Sequence, residues 1–218
     1  MVTPRDTQLV TGESLVSERW VPFDVVDAAD NPFEQFECWF AEASQEVREP
    51  EAITLVTAAA QGQPSARMVL LRHHDGESFG WFTNYDSRKG RELAENGQAS
   101  LLWYVESLGR QVRIDGEVSK MSDAASDAYF ATRPRGHQIG AHASQQSRPL
   151  TSRAELEERV HEFEKMFADR EVPRPAQWGG YRLAPTAFEF WQHRSDRLHD
   201  RVIYLPTASG WSKERYAP

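Results

Sequence analysis

The sequence predicts a mainly β protein with peripheral helices (α+β), an antiparallel barrel, and three observations lead there. Short β-type apolar runs recur along the chain, each closed by a turn signal. The few segments with helical spacing interrupt these runs at loops instead of alternating with them, so βαβ units are not indicated. No GxGxxG or GxxxxGK[ST] pattern follows any strand, which removes the dinucleotide-binding and P-loop folds.

Residues 1–30 show no sustained period and mix acids with small polar residues, so a flexible N-terminal arm is expected ahead of a single domain over 31–218. Asn31, Pro32 and Glu34 supply an N-cap, a first-turn proline and a capping-box acid. Phe33, Phe36, Trp39, Phe40, Ala43 and Val47 then recur at helical spacing, predicting a helix over about 32–47. AITLVTAA, ARMVLLRH and FGWFTN, separated by QGQP and HDGE, predict two hairpins in series. Ser87 opens a short helix to Glu95, which Asn96-Gly97 is expected to close in a left-handed cap. Strands resume at ASLLWYV and RQVRIDGEVSKM. Ser122 caps a helix over about 123–131, and Thr151, Ser152 and Glu155 start another with Leu156, Val160, Phe163 and Phe167 as its stripe. YRLAP, AFEFWQ, RVIYLP and a strand near Trp211 complete the β set, while 129–147 reads as a polar loop.

The chain has 218 residues, 39% hydrophobic and 27% charged, enough to bury a core without disulfides. No run approaches the ~18 apolar residues of a membrane span. The start lacks a signal or transit pattern, so a cytoplasmic location is expected. The net charge of −8 opposes a polyanion, and neither nucleic acid nor membrane is expected as a partner. Cys38 is the only cysteine, which excludes an internal disulfide and a multi-thiolate metal site; its thiol is expected to pack.

Several basic clusters could carry chemistry. Arg67 and Arg72 bracket MVLL five apart, so an ideal pleat sends them to opposite faces, either toward different ligands or toward solvent. Ser87-Arg88-Lys89 stands at a helix start, where exposed N–H groups and two cations suit a phosphate, although a solvated helix end has the same pattern. Tyr129, Arg133, Arg135, His137, His142 and Ser147 supply donors for an anion, or simply face water. No metal is expected, because His137 and His142 lack a ligand spacing. In WQHRSDRLHDR (191–201), Arg197, His199 and Arg201 share parity and would lie on one face of an extended segment.

In order along the chain, RMVLLR (67–72), FTNYDSRKGREL (82–93), RQVRIDGEV (110–118), RPRGHQIGAHASQQS (133–147), WGGYR (178–182), EFWQ (189–192) and RLHDR (197–201) resemble the pyridoxine/pyridoxamine 5′-phosphate oxidase family over roughly 30–218. The resemblance implies a split antiparallel β-barrel that binds FMN at a homodimer interface, with each site built from both subunits. It implies that Arg67, Arg88, Lys89 and Ser147, with Gln146 beside them, hold the FMN phosphate and ribityl region. Met68, Val69, Leu70, Leu71, Arg72, Phe82, Thr83, Gln111, Trp191 and Arg201 would line the rest of the flavin site. Arg72, Tyr129, Arg133 and His137 would hold the substrate phosphate, and Arg197 and His199 would cover the pyridine ring as the catalytic pair. The implied activity is oxidation of pyridoxine 5′-phosphate and pyridoxamine 5′-phosphate by dioxygen to pyridoxal 5′-phosphate, in vitamin B6 biosynthesis or salvage, with release of hydrogen peroxide. Two positions depart from the family: Arg72 stands where lysine is common, and His137 where serine is common. A phenazine-pathway flavin oxidase, a deazaflavin-dependent reductase and a non-catalytic flavin- or haem-binding barrel share parts of the pattern.

Overall fold

Asn31 accepts a hydrogen bond from Phe33 N through its side chain and starts helix α1, Pro32–Glu46. The periodic apolar residues of α1 close one end of the barrel: Phe36 and Ala43 are wholly buried, and the Phe33 ring stacks on Phe79 at 5.5 Å. This computed structural model describes residues 21–218. After α1 the chain runs β1 (Ala52–Ala58), β2 (Pro64–Leu70), β3 (His73–His74), β4 (Phe79–Asn84), α2 (Arg88–Glu95), β5 (Gln98–Val105) and β6 (Arg110–Lys120). There follow α3 (Asp123–Thr132), α4 (Arg135–Ala143), α5 (Arg153–Met166), β7 (Trp178–Gln192), β8 (Asp200–Thr207) and β9 (Gly210–Arg215).

All strand pairs are antiparallel, and the sheet order is β2-β1-β5-β6-β7-β4-β3, with β8 on β7 and β9 on β8. Strand β7 splits the barrel. It pairs with β6 over Tyr181–Gln192, with β4 over Trp178–Leu183 and with β8 over Phe188–Gln192. The sequence suggests two strands here because Pro185 interrupts the run. The structure joins them because Pro185 falls where the register slips between Asp115 and Gly116, a bulge that needs no proline N–H.

The core is aromatic, with Trp81, Trp103, Phe79, Phe188, Phe190 and Tyr204 fully buried between the sheet faces. A second cluster of Phe130, Ile139, Phe167, Val172 and Trp178 fastens α3, α4 and α5 to the outside of the β4–β7 edge.

Four expectations change. Residues 1–20 of the expected arm lie outside the described residues. Residues 21–30 are fastened to the barrel: Phe23 and Ala28 are buried, and Tyr204 Oη donates to Ala29 O at 2.7 Å. Cys38 faces outward from α1, because the helix directs Phe36 and Trp39 inward. The polar stretch 129–147 contains α4, fixed by Ile139 and Ala143 on its buried side. Asn96 ends α2 in extended and not left-handed backbone.

Candidate functional site

The N-terminus of α2 builds one wall of the site. Ser87 caps it by accepting from Gly90 N at 3.3 Å, and the tight turn from β4 leaves Lys89 only 8% exposed. The Lys89 ammonium donates to Thr83 Oγ1 at 3.1 Å and Gln146 Oε1 at 3.0 Å. Burial, reinforced by the Arg67 cation, pulls its pKa down to about 8. A half-desolvated ammonium with only neutral acceptors is short of negative charge.

Beside it, Arg67 from β2 and Arg88 from α2 converge on Glu92. Arg67 Nη2 lies 3.2 Å from Glu92 Oε2, and Arg88 Nε 2.8 Å from Oε1. Burial lowers the Arg67 pKa, while hydrogen bonds from Ser65, Thr57 and both arginines hold the Glu92 carboxyl down at about 2 against its desolvation.

Lys89 borders a cavity of about 560 Å³ between the β2 edge, β4, α3 and α4, with the Arg67–Glu92–Arg88 cluster on the adjoining side of α2. Its lining brings together Met68, Val69, Leu70, Arg72, Phe82, Thr83, Lys89, Tyr129, Arg133, His137 and Gln146. Phe82 and Tyr129 stack at 3.9 Å, with Trp178 parallel to both. Arg133 lies over the Trp178 ring at 4.6 Å, and its Nη1 is buried without a hydrogen-bond partner among the described residues. Burial lowers its pKa too. On α4, a Cβ at Gly136 or Gly140 would meet nothing within 4 Å, so the helix presents open space beside exposed His137. Ser147 follows Gln146 with a φ of 68°. Leu71 does not join this wall, since its side chain is 4% exposed and packs in the barrel core. Arg72 lies beyond the end of β2, in ion-pair contact with Glu51 at 3.2 Å, while Arg67 turns toward Leu55 O and Thr57.

The remaining candidates form a second group. Gln111, Trp191 and Arg201 stand side by side on β6, β7 and β8. Alternation places them with Met68 and Leu70 on the outer sheet face, but Leu70 and Gln111 are three strand steps apart, about 14 Å at the usual spacing. Arg201 Nε donates to Glu189 Oε1 at 2.7 Å, and Arg113 pairs with the other oxygen at 2.8 Å. Arg197 and His199 precede β8, though not as the extended row expected. Ser195–Arg197 is a 3₁₀ turn in which Asp196 and Arg197 have φ of 55° and 61°, so parity along a strand does not apply. His199 Nδ1 accepts from Arg194 N at 3.1 Å, which leaves the proton on Nε2. Its ring centroid is 4.5 Å from that of Trp191, and burial, His193 and Arg197 all lower its pKa.

Sequence reasoning missed Glu92, Glu189 and Trp178. Glu92 had a local signal, four residues after Arg88 on one helix; its second arginine lies on another element. His142 Nε2 engages Pro173 O at 2.7 Å, and no group of three or more His, Cys, Asp or Glu gathers as a metal site among the described residues. No helix among them is long and apolar enough to cross a membrane.

A family model described as pyridoxamine 5′-phosphate oxidase matches residues 40–167, and one described as pyridoxine 5′-phosphate oxidase C-terminal dimerisation region matches 178–218. The chain is 52% identical over 197 residues to a pyridoxine/pyridoxamine 5′-phosphate oxidase of Paraburkholderia phymatum, covering 89% of this chain and 92% of that one. It is 50% identical to the protein of that name from Cyanothece sp., over 86% and 89% of the two chains. Among solved structures, PhzG from Burkholderia lata in complex with tetrahydrophenazine-1-carboxylic acid superposes with a TM-score of 0.84 at 34% identity, covering 91% of this chain and 98% of that one. A related FMN-binding protein from Nostoc punctiforme shares the fold at a TM-score of 0.69 and 16% identity, over 86% of this chain and 97% of that one.

Proposed function

The chain belongs to the pyridoxine/pyridoxamine 5′-phosphate oxidase family of split-barrel oxidoreductases, and from that premise we propose that it binds FMN and oxidises pyridoxine 5′-phosphate and pyridoxamine 5′-phosphate to pyridoxal 5′-phosphate. The observation that carries this reading is the cavity wall of Lys89 and Arg133, where two desolvated cations, one with an unpartnered guanidinium N–H, lack an anionic partner among the described residues, with Arg72 on the same lining paired to Glu51.

The donor set fits two phosphate groups. Arg67, Arg88 and Lys89, with Gln146 and Ser147, would hold the flavin phosphate end. Arg72, Tyr129, Arg133 and His137 would hold the substrate phosphate. FMN, when bound, supplies the hydride acceptor and the route by which electrons reach dioxygen, leaving hydrogen peroxide. The protein supplies position and electrostatics. Arg133, pre-desolvated against Trp178, fixes one end of the substrate; Arg197 and His199 bear on the ring; neutral His199 offers its Nε2 proton as a donor. With the amine substrate, water completes the balance and ammonia leaves.

The separation of the two residue groups supports a homodimer in which Gln111, Trp191, Arg197, His199 and Arg201 of one copy complete the cavity of the other. Met68, Leu70 and Tyr104 are 61%, 41% and 56% exposed on the outer face, an apolar surface suited to a second copy.

The test is to reconstitute the protein with FMN and supply each vitamer phosphate separately, following dioxygen consumption and aldehyde formation. Turnover of either vitamer is expected. A stoichiometric flavin spectrum without turnover would overturn the substrate assignment and favour a phenazine-type aromatic, the ligand class of the Burkholderia lata structure.

A further inference from the structure

Glu92 is buried beneath the α2 N-terminus at 5% exposure. An Arg and a Glu four apart on a helix usually form a solvated pair worth little. This carboxylate is different in three ways. It accepts from four donors on three elements: Thr57 at 2.5 Å (β1), Ser65 at 2.6 Å and Arg67 at 3.2 Å (β2), and Arg88 at 2.8 Å (α2). Its two oxygens divide the arginines, Oε2 taking Arg67 and Oε1 taking Arg88. Arg67 is itself fixed further by Leu55 O, Thr57 and Ser65.

We propose that Glu92 is the positioning residue of the phosphate end of the flavin site, a single buried carboxylate that orients Arg67 and Arg88 toward one anion. The proposal rests on the flavin reading above. Arg67, Arg88 and Lys89 carry three positive charges close together; burial lowers the pKa of Arg67 and Lys89, and the neighbouring cations, Arg88 and Arg67 respectively, push in the same direction. Without a counter-charge the arginines would separate and turn to solvent. With Glu92 between them the local charge falls to two, which matches a phosphate dianion. The hydroxyls of Thr57 and Ser65 also donate to Oε2, so the carboxylate is tethered and cannot swing out to compete with the ligand. Removing the negative charge increases attraction to phosphate over a distance, but Arg88 is 55% exposed and solvent screens that gain. Loss of orientation is the larger effect.

The test compares FMN with riboflavin, which has the same ring and ribityl chain but no phosphate. Apoprotein is titrated with each, following flavin fluorescence, in the unchanged protein and in Glu92→Gln. The expected result is FMN affinity weakened by about ten-fold or more, with riboflavin affinity unchanged within about two-fold, since only the phosphate contact depends on the clamp. Equal weakening of both flavins would reduce Glu92 to a structural residue and overturn the proposal, as would tighter FMN binding. Should Glu92→Gln fail to fold, Ser65→Ala removes one donor to the same oxygen and is expected to shift FMN selectively by a smaller factor. If the unchanged protein binds neither flavin, the flavin reading itself fails, a result distinct from loss of the clamp alone.

Discussion

Lys89 is the residue whose surroundings have the clearest consequence. Its ammonium is buried among neutral acceptors with a pKa near 8, below the ordinary lysine value of 10.5. The native state therefore binds fewer protons than the unfolded chain between about pH 8 and 10.5, and this group's contribution to stability rises with pH across that window. Burying the charge costs stability at neutral pH, and a bound anion offsets that cost by raising the pKa again. FMN affinity is accordingly expected to be flat from pH 7 to 8 and to weaken toward ten-fold per unit above it, with proton uptake on binding, while riboflavin stays level. A flat FMN profile to pH 9.5 would remove Lys89 from the phosphate contact. Arg133 allows a second expectation: Arg133→Met should raise the KM for either vitamer phosphate about 10–100-fold with a smaller change in kcat, because it removes a desolvated charge contact and leaves the ring geometry alone. Steady-state kinetics on the FMN-loaded enzyme would check it.

At the scale of elements, helix α2 depends on a close approach. A Cβ at Gly90 would stand 2.0 Å from the carbonyl oxygen of Tyr85, so the helix start can fold back on the end of β4 only with glycine there. Gly90→Ala is expected to cost about 1–3 kcal/mol, seen as a lowered Tm, and to weaken FMN binding by displacing the Arg88-Lys89 end of the helix. Local chemistry made this helix legible in the sequence: a serine cap, then two cations. The neighbouring α4 was not legible, because RPRGHQIGAHA has two glycines and few apolar residues. Its helicity comes from Ile139 and Ala143 docking on the second core cluster, a tertiary effect no window shows. The loop before β8 escaped for a related reason. Its left-handed Asp196 and Arg197 break the alternation on which strand reasoning relies, and such backbone persists only where surrounding contacts hold it. Glu92 and Glu189 escaped because each unites arginines from different elements.

For the whole molecule, the barrel sets what one chain can do. Its outer face carries Met68 and Leu70 at one side and Gln111, Trp191 and Arg201 at the other, with the exposed Tyr104 between. Covering this face with a second copy would shield the apolar side chains and bring the two residue groups into one site. Tyr104→Glu, on β5 directly across from Gln111, is therefore expected to shift the protein toward monomer in size-exclusion chromatography with light scattering and to lose FMN in parallel. A monomer that retains flavin at full affinity would contradict the shared site.

The most direct measurement mixes two impaired variants and assays them at a vitamer concentration well below the wild-type KM, where the raised KM of the Arg133 variant leaves little turnover. Arg133→Ala disables the cavity side and Arg197→Met the side contributed by the other copy. Refolded together, half of the dimers should be mixed, and each mixed dimer should hold one site with both residues intact, returning about a quarter of the unmixed wild-type activity. Recovery near that level is the result the account predicts. A mixture as inactive as its parents, with mixed dimers shown to form, would place Arg133 and Arg197 in the same chain's site and contradict it.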